Sequence, residues 1–101
     1  MKEIKAIIKP FMLEKVVDAL RGIHGLPGIT ISAAHSLSAE RGTFDQFTKT
    51  KLEIIVADGA VDAVVEAIRQ SAHTGNAGDG SIFVIAVEQS IKIRTGERRF
   101  E

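Results

Sequence analysis

The residues with the clearest chemical potential lie in the C-terminal third of the chain. Thr74-Gly75-Asn76-Ala77-Gly78-Asp79-Gly80-Ser81 places three glycines within six residues. Such a stretch exposes successive backbone N–H groups, which can wrap the oxygens of a phosphate. Its spacing comes close to the phosphate-binding Gly-x4-Gly-Lys string, but Ser81 stands where the lysine belongs. The flanking pattern also runs from helix into strand, the reverse of that motif. A tight connection needing positive φ is the plain alternative. Lys92 and Arg94 follow at a spacing of two, which on a strand points both to one face. Two cations on one face near a glycine loop make an anion site; a solvated edge strand blunted by charge is the alternative.

Other chemistry is sparse. There is no cysteine, which excludes disulfides, thiolate metal sites and thiol catalysis. His24, His35 and His73 are the only imidazoles, and no pair has a short ligand spacing, so no metal site is assigned. Glu53 and Asp79 lack a partner carboxylate at readable spacing, and no nucleophile–base pair stands out, so no catalytic residue is assigned. Asp79 also fits an Asx-type turn. Thirteen basic residues balance thirteen acidic ones. That argues against nucleic-acid binding driven by bulk charge. No apolar run approaches the roughly 18 residues of a membrane span, and Met1-Lys2-Glu3-Ile4-Lys5 alternates like a strand. A soluble, cytoplasmic protein is expected.

The elements that must position these groups appear as an internal repeat. Shifted by 48 positions, Ile7–Arg21 falls on Ile55–Arg69, with Val16/Val64, Val17/Val65, Ala19/Ala67 and Arg21/Arg69 identical. Each copy is a short β-branched run followed by a helix. Ile4–Ile8 ends before Pro10, and Leu13, Val16, Val17 and Leu20 then follow the spacing of one buried helix face. Leu52–Val56 and the stripe Val61, Val64, Val65, Ile68 repeat the unit, with Asp58 as expected N-cap. Further strands are expected at Ile29–Ser36, Ser81–Glu88 and Ile91–Arg94. Leu37–Thr50 resists the periodic reading and is expected to be polar and structureless. The order β-α-β-β-α-β predicts one α+β domain over residues 1–101, with a ferredoxin-like four-stranded antiparallel sheet and both helices on one face. Ile54-Ile55-Val56 and Ile82–Val87 are apolar on both faces, and no third helix exists to cover the second. Another subunit is expected to do so, in a closed ring.

Three ordered segments together resemble the nitrogen regulatory PII signalling proteins along nearly the whole chain. Ala6-Ile7-Ile8-Lys9-Pro10-Phe11 resembles the family's opening. Thr74–Val84 resembles its B-loop signature, with the loop itself at 74–81. Ile93-Arg94-Thr95-Gly96-Glu97 resembles its C-terminal motif, within 90–101. The resemblance implies a ferredoxin-like homotrimer that binds adenine nucleotides between subunits and regulates a protein partner. It implies that Gly78, Asp79 and Gly80 hold phosphates, with Lys92 and Arg94 facing them. Lysine at 92 keeps the charge of the family's usual arginine and loses its bidentate fork. Ile7, Thr30, Glu53 and Ile55 fall where the family surrounds adenine and ribose. Lys49 matches a lysine that helps to bind 2-oxoglutarate.

The departures narrow the expectation. The B-loop lysine is Ser81, which removes a cation near the outer phosphates. The expected ligand is therefore ADP or AMP, with ATP held weakly. Ser36 and Ser38 replace glycines, and Glu40 replaces the glutamine that ligates Mg²⁺, so 2-oxoglutarate sensing is not expected. The T-loop, about 37–50, is short: six residues separate Gly42 from Lys49. The chain has no tyrosine, so tyrosine modification is excluded. Phe44 and Phe47 stand in that loop, either as docking knobs for a protein partner or folded back onto the sheet. The short loop resembles a branch associated with heavy-metal efflux, which implies a metal-efflux or other membrane transporter as partner. The alternative is a trimeric metal-binding protein of the CutA kind, against which the glycine loop argues. An acylphosphatase-like enzyme on this fold would need an anion loop with arginine after the first strand, which Lys9-Pro10-Phe11 does not supply.

Overall fold

The computed structural model describes residues 1–40 and 43–100; the side-chain surroundings of residues 38–45 lie outside that description. β1 (Lys2–Ile8) alternates strictly, burying Ile4, Ala6 and Ile8 while Glu3, Lys5 and Ile7 face the other way. Pro10, with its pre-set φ, opens a 3-10 turn at Pro10–Met12 that feeds α1 (Leu13–Arg21). α1 buries Val16 and Leu20 and turns Glu14, Asp18 and Arg21 to solvent. The repeat unit recurs as β3 (Thr43–Val56), a 3-10 turn at Asp58–Ala60, and α2 (Val61–Ala72), which buries Val64, Ile68 and Ala72. Asp58 does not cap α2. Its carboxylate takes the N-terminal ammonium at 2.6 Å and Lys2 at 3.3 Å, tying the chain's start to the second repeat.

β2 (Thr30–Glu40) and β4 (Gly80–Ala86) complete one antiparallel sheet in the order β2-β3-β1-β4. This is the ferredoxin-like arrangement expected. The core lies between the sheet and the two helices, where Ile4, Val16, Leu52, Ile54, Val64 and Ile68 are each 0% exposed. Full burial of each such side chain is worth about 1.5–3 kcal/mol. The opposite face is open, and Ile55 (39% exposed), Phe83 (49%) and Ile85 (38%) stand on it.

Two expectations need correction. Leu37–Thr50 is not structureless: β2 runs on to Glu40 and β3 begins at Thr43, paired from Ala34↔Lys49 to Glu40↔Thr43. β1 accompanies β3 only as far as Ile8↔Thr50, so the outer rungs form a two-stranded ribbon reaching beyond the sheet. The ribbon lengthens the molecule to 49 Å against 26 and 20 Å in the other directions. Of its described side chains, Leu37, Gln46, Phe47 and Thr48 are exposed. The second correction is at the C-terminus. The expected strand Ile91–Arg94 stops at Ile91: β5 (Ser90–Ile91) pairs with β6 (Arg98–Arg99), and the residues between them form a turn. Gly96, at φ 73°, donates its N–H to the Lys92 carbonyl at 2.7 Å. Lys92 and Arg94 therefore stand on a turn and not on one face of a strand.

Candidate functional site

At the end of the open face nearest the ribbon, a cavity of about 490 Å³ lies between the sheet and the glycine loop. The sheet register builds its floor. Ile7 pairs with Ser81 on β4 and Lys51 on β3, and the next outward positions along those strands that reach the cavity are Phe83 and Lys49. Ser36 and its cross-strand partner Phe47 close the ribbon side, and Gly78 and Gly80 close the loop side. Apolar Ile7, Phe47 and Phe83 thus face a rim of backbone amides, two serine hydroxyls and one ammonium, a composition suited to a ligand with a flat apolar part and an anionic part.

The loop is held in shape by its own side chains. Asp79 accepts from the N–H of Thr74 at 2.8 Å, the N–H of Gly75 at 3.0 Å and the hydroxyl of Thr74. Lys9 completes the clasp, 3.0 Å from the Asp79 carboxylate and 3.3 Å from the Thr74 hydroxyl. The Thr74 hydroxyl, then its N–H, hold the Asp79 carboxyl well below the usual carboxylate range; burial opposes them, and Lys9 and Gly75 add smaller lowering effects. Gly80 is fixed by sterics. Its φ is +105°, and a Cβ there would stand 1.7 Å from the Ile7 carbonyl oxygen, so only glycine lets β4 start against β1. Gly78, at φ +85°, has ordinary space around it; a Cβ would meet the Lys49 ammonium at 3.5 Å. Lys49 donates to the Gly78 carbonyl at 2.6 Å and lies 5.9 Å from the centre of the Phe47 ring.

Of the expected nucleotide contacts, Ile7, Gly78 and Gly80 line this cavity; Ser36, Lys49 and Ser81, noted from the sequence for other reasons, line it too. Asp79 is adjacent, with its carboxylate turned into the loop. Thr30 and Glu53 are cross-strand partners further along the open face, Ile55 stands beyond them, and Lys92 and Arg94 occupy the C-terminal turn. None of these five lines the cavity in the single chain. Phe47 is a cavity wall, 46% exposed; the side chain of Phe44 lies outside the described residues. Sequence reasoning missed Lys9 as the clasp and Phe83 as a wall. The signal for Phe83 was present in the parity of β4, while Lys9 gave none, since its partner is 70 positions away. Among the described residues, no group of three or more histidines or carboxylates could hold a metal ion, and no helix is long and apolar enough to cross a membrane.

Comparison with known proteins agrees with the geometry. A curated protein of Rhodospirillum rubrum named nitrogen regulatory protein P-II is 45% identical over 108 residues, covering 97% of this chain and 96% of that protein. Proteins of the same name from Rhizobium meliloti and Haemophilus influenzae are 46% and 43% identical, each over 96% of this chain and 95% of their own length. The aligned stretch of 108 positions exceeds the 101 residues of this chain, so the first relative carries residues that this chain lacks. The metal-binding alternative finds no support in these likenesses. The family described as nitrogen regulatory protein P-II matches residues 1–97, which take in the whole sheet, both helices and the glycine loop, and the chain belongs to that family.

Proposed function

We propose that this chain is a signalling regulator, not an enzyme, that binds an adenine nucleotide between copies of itself and controls a protein partner. The observation that carries the reading is the split of the expected contacts. Ile7, Gly78 and Gly80 line one cavity, while Thr30, Glu53, Ile55, Lys92 and Arg94 lie off it. A second copy laid on the open face brings its own set of these residues to the first copy's cavity, and covers Ile55, Phe83 and Ile85. Closed symmetry then makes the sites equivalent, with the homotrimer as the assembly. Single-domain behaviour over residues 1–101 and a cytoplasmic location belong to the same reading.

The base sits against Ile7 and its apolar neighbours, the phosphates sit on the amides around Gly78 and Gly80, and Lys92 and Arg94 arrive from the adjoining copy. Ser81, in place of a cation, favours ADP or AMP over ATP. Occupancy biases the glycine loop through Gly78, and Lys49 links that loop to the ribbon. The ribbon, with Phe44 and Phe47, is the surface offered to the partner, for which a metal-efflux or other membrane transporter is the class proposed.

A thermal-shift panel of AMP, ADP, ATP, 2-oxoglutarate and bicarbonate tests this. A nucleotide at 100 times its dissociation constant adds about 2.7 kcal/mol of stability, and ADP or AMP is expected to give such a shift. ATP binding ten times tighter than ADP would contradict the selectivity, and no response to any nucleotide would contradict the site.

A further inference from the structure

We infer that Lys49 supplies the cation for the phosphates beyond the first of a bound nucleotide, and so sets the preference of this chain among AMP, ADP and ATP. The inference rests on the nucleotide reading of the cavity above. Lys49 shares that cavity with Gly78, Gly80 and Ser81, the last of which leaves it without a loop cation. The Gly78 carbonyl accepts one of the three N–H donors of the Lys49 ammonium, and among the described residues nothing accepts from the other two. Its charge is also unmatched among the described residues. Lys9 is paired with Asp79 at 3.0 Å and Lys51 with Glu53 at 3.7 Å, whereas among the described residues no carboxylate lies within 4.0 Å of the Lys49 ammonium. Phe47, 5.9 Å away, gives the side chain an aromatic neighbour on the ribbon. A half-buried ammonium tethered to the loop that cradles the first phosphate, with two donors and its charge unmatched among the described residues, is placed for the next phosphate along.

The alternative role is a strut: Lys49 holds the loop, and any ligand of the loop depends on it equally. AMP separates the two, because its single phosphate needs the loop and not the extra cation. Calorimetric titration of AMP, ADP and ATP is carried out on the unaltered protein, on Lys49→Met and on Lys49→Arg, with thermal melts of each showing that they fold. The expected result is that Lys49→Met weakens ADP and ATP about tenfold or more and leaves AMP within about twofold, and that Lys49→Arg restores most of the loss. Equal weakening of all three by Lys49→Met, or no weakening of ADP, overturns the inference while leaving the nucleotide site standing. Failure of the unaltered protein to bind any of the three overturns the nucleotide reading and this inference with it.

Discussion

The ammonium of Lys49 lies 2.6 Å from the carbonyl oxygen of Gly78, 29 residues further along the chain. This contact joins the β2–β3 ribbon to the glycine loop. It makes one unit of two segments that the sequence presents as separate, and it puts a cation at the rim of the cavity. The shape of the loop, its charge and its link to the ribbon each lead to an expected outcome.

The Asp79 clasp gives the loop an acid-sensitive component. Donors from Thr74, Gly75 and Lys9 favour the carboxylate in the folded state and lower its pKa below the ordinary 3.8. A carboxylate whose folded pKa is depressed contributes stability above its unfolded pKa and loses it as the pH falls through the folded value. Asp79→Asn is therefore destabilising at pH 7, and its deficit relative to the unaltered protein shrinks as the pH drops below about 3.8. Urea melts of both proteins at pH 7 and pH 3 check this; a deficit of the same size at both pH values would contradict the clasp.

Gly80 and Gly78 both have positive φ but differ in space. Gly80→Ala drives a methyl group into the Ile7 backbone and is expected to cost more than about 4 kcal/mol or to prevent folding. Gly78→Ala meets only strain from its φ and is expected to cost about 1–2 kcal/mol, with the fold retained. Circular dichroism melts compare the two, and equal losses would contradict the geometry of the β1–β4 start.

Phe83 and Ile85 belong to the open face in the proposed assembly. Phe83→Glu places a charge there, which burial against another copy would have to desolvate. The variant is expected to run as a monomer with helix content unchanged. Light scattering on a sizing column gives the mass, and an unchanged assembly would show that this face is not the interface.

Ser81→Lys restores a cation beside the loop. The expected result is a gain for ATP of about tenfold or more relative to AMP, since a charge-assisted phosphate contact is worth about 1.5–3 kcal/mol. The same titration with no relative gain would place the outer phosphates away from Ser81.

Much of the fold was legible in the residues because burial on one face imposes a period. Val16, Leu20, Val64 and Ile68 were readable as helix stripes, and all four are buried. The ribbon was not legible: Thr48-Lys49-Thr50-Lys51 on β3 carries no apolar residue to mark a strand. Asp58 read as a cap from its local position, but the N-terminal ammonium, brought beside it by β1–β3 pairing, took its carboxylate. Lys92 and Arg94 read as one strand face because their spacing fits period two, but the turn that closes at Gly96 ends the strand at Ile91. The glycine loop was legible as a phosphate cradle candidate from composition, and Lys49 from the family resemblance alone. The clasp was not legible, because Lys9, just past the end of β1, comes from 70 positions away.

The central claim, a nucleotide held between copies of this chain, is tested most directly by native mass spectrometry with ADP. The account predicts a trimer that takes up as many ADP molecules as it has chains, with no ADP on any monomer released under the same conditions. ADP carried by monomers, or a trimer that takes up none, would contradict it.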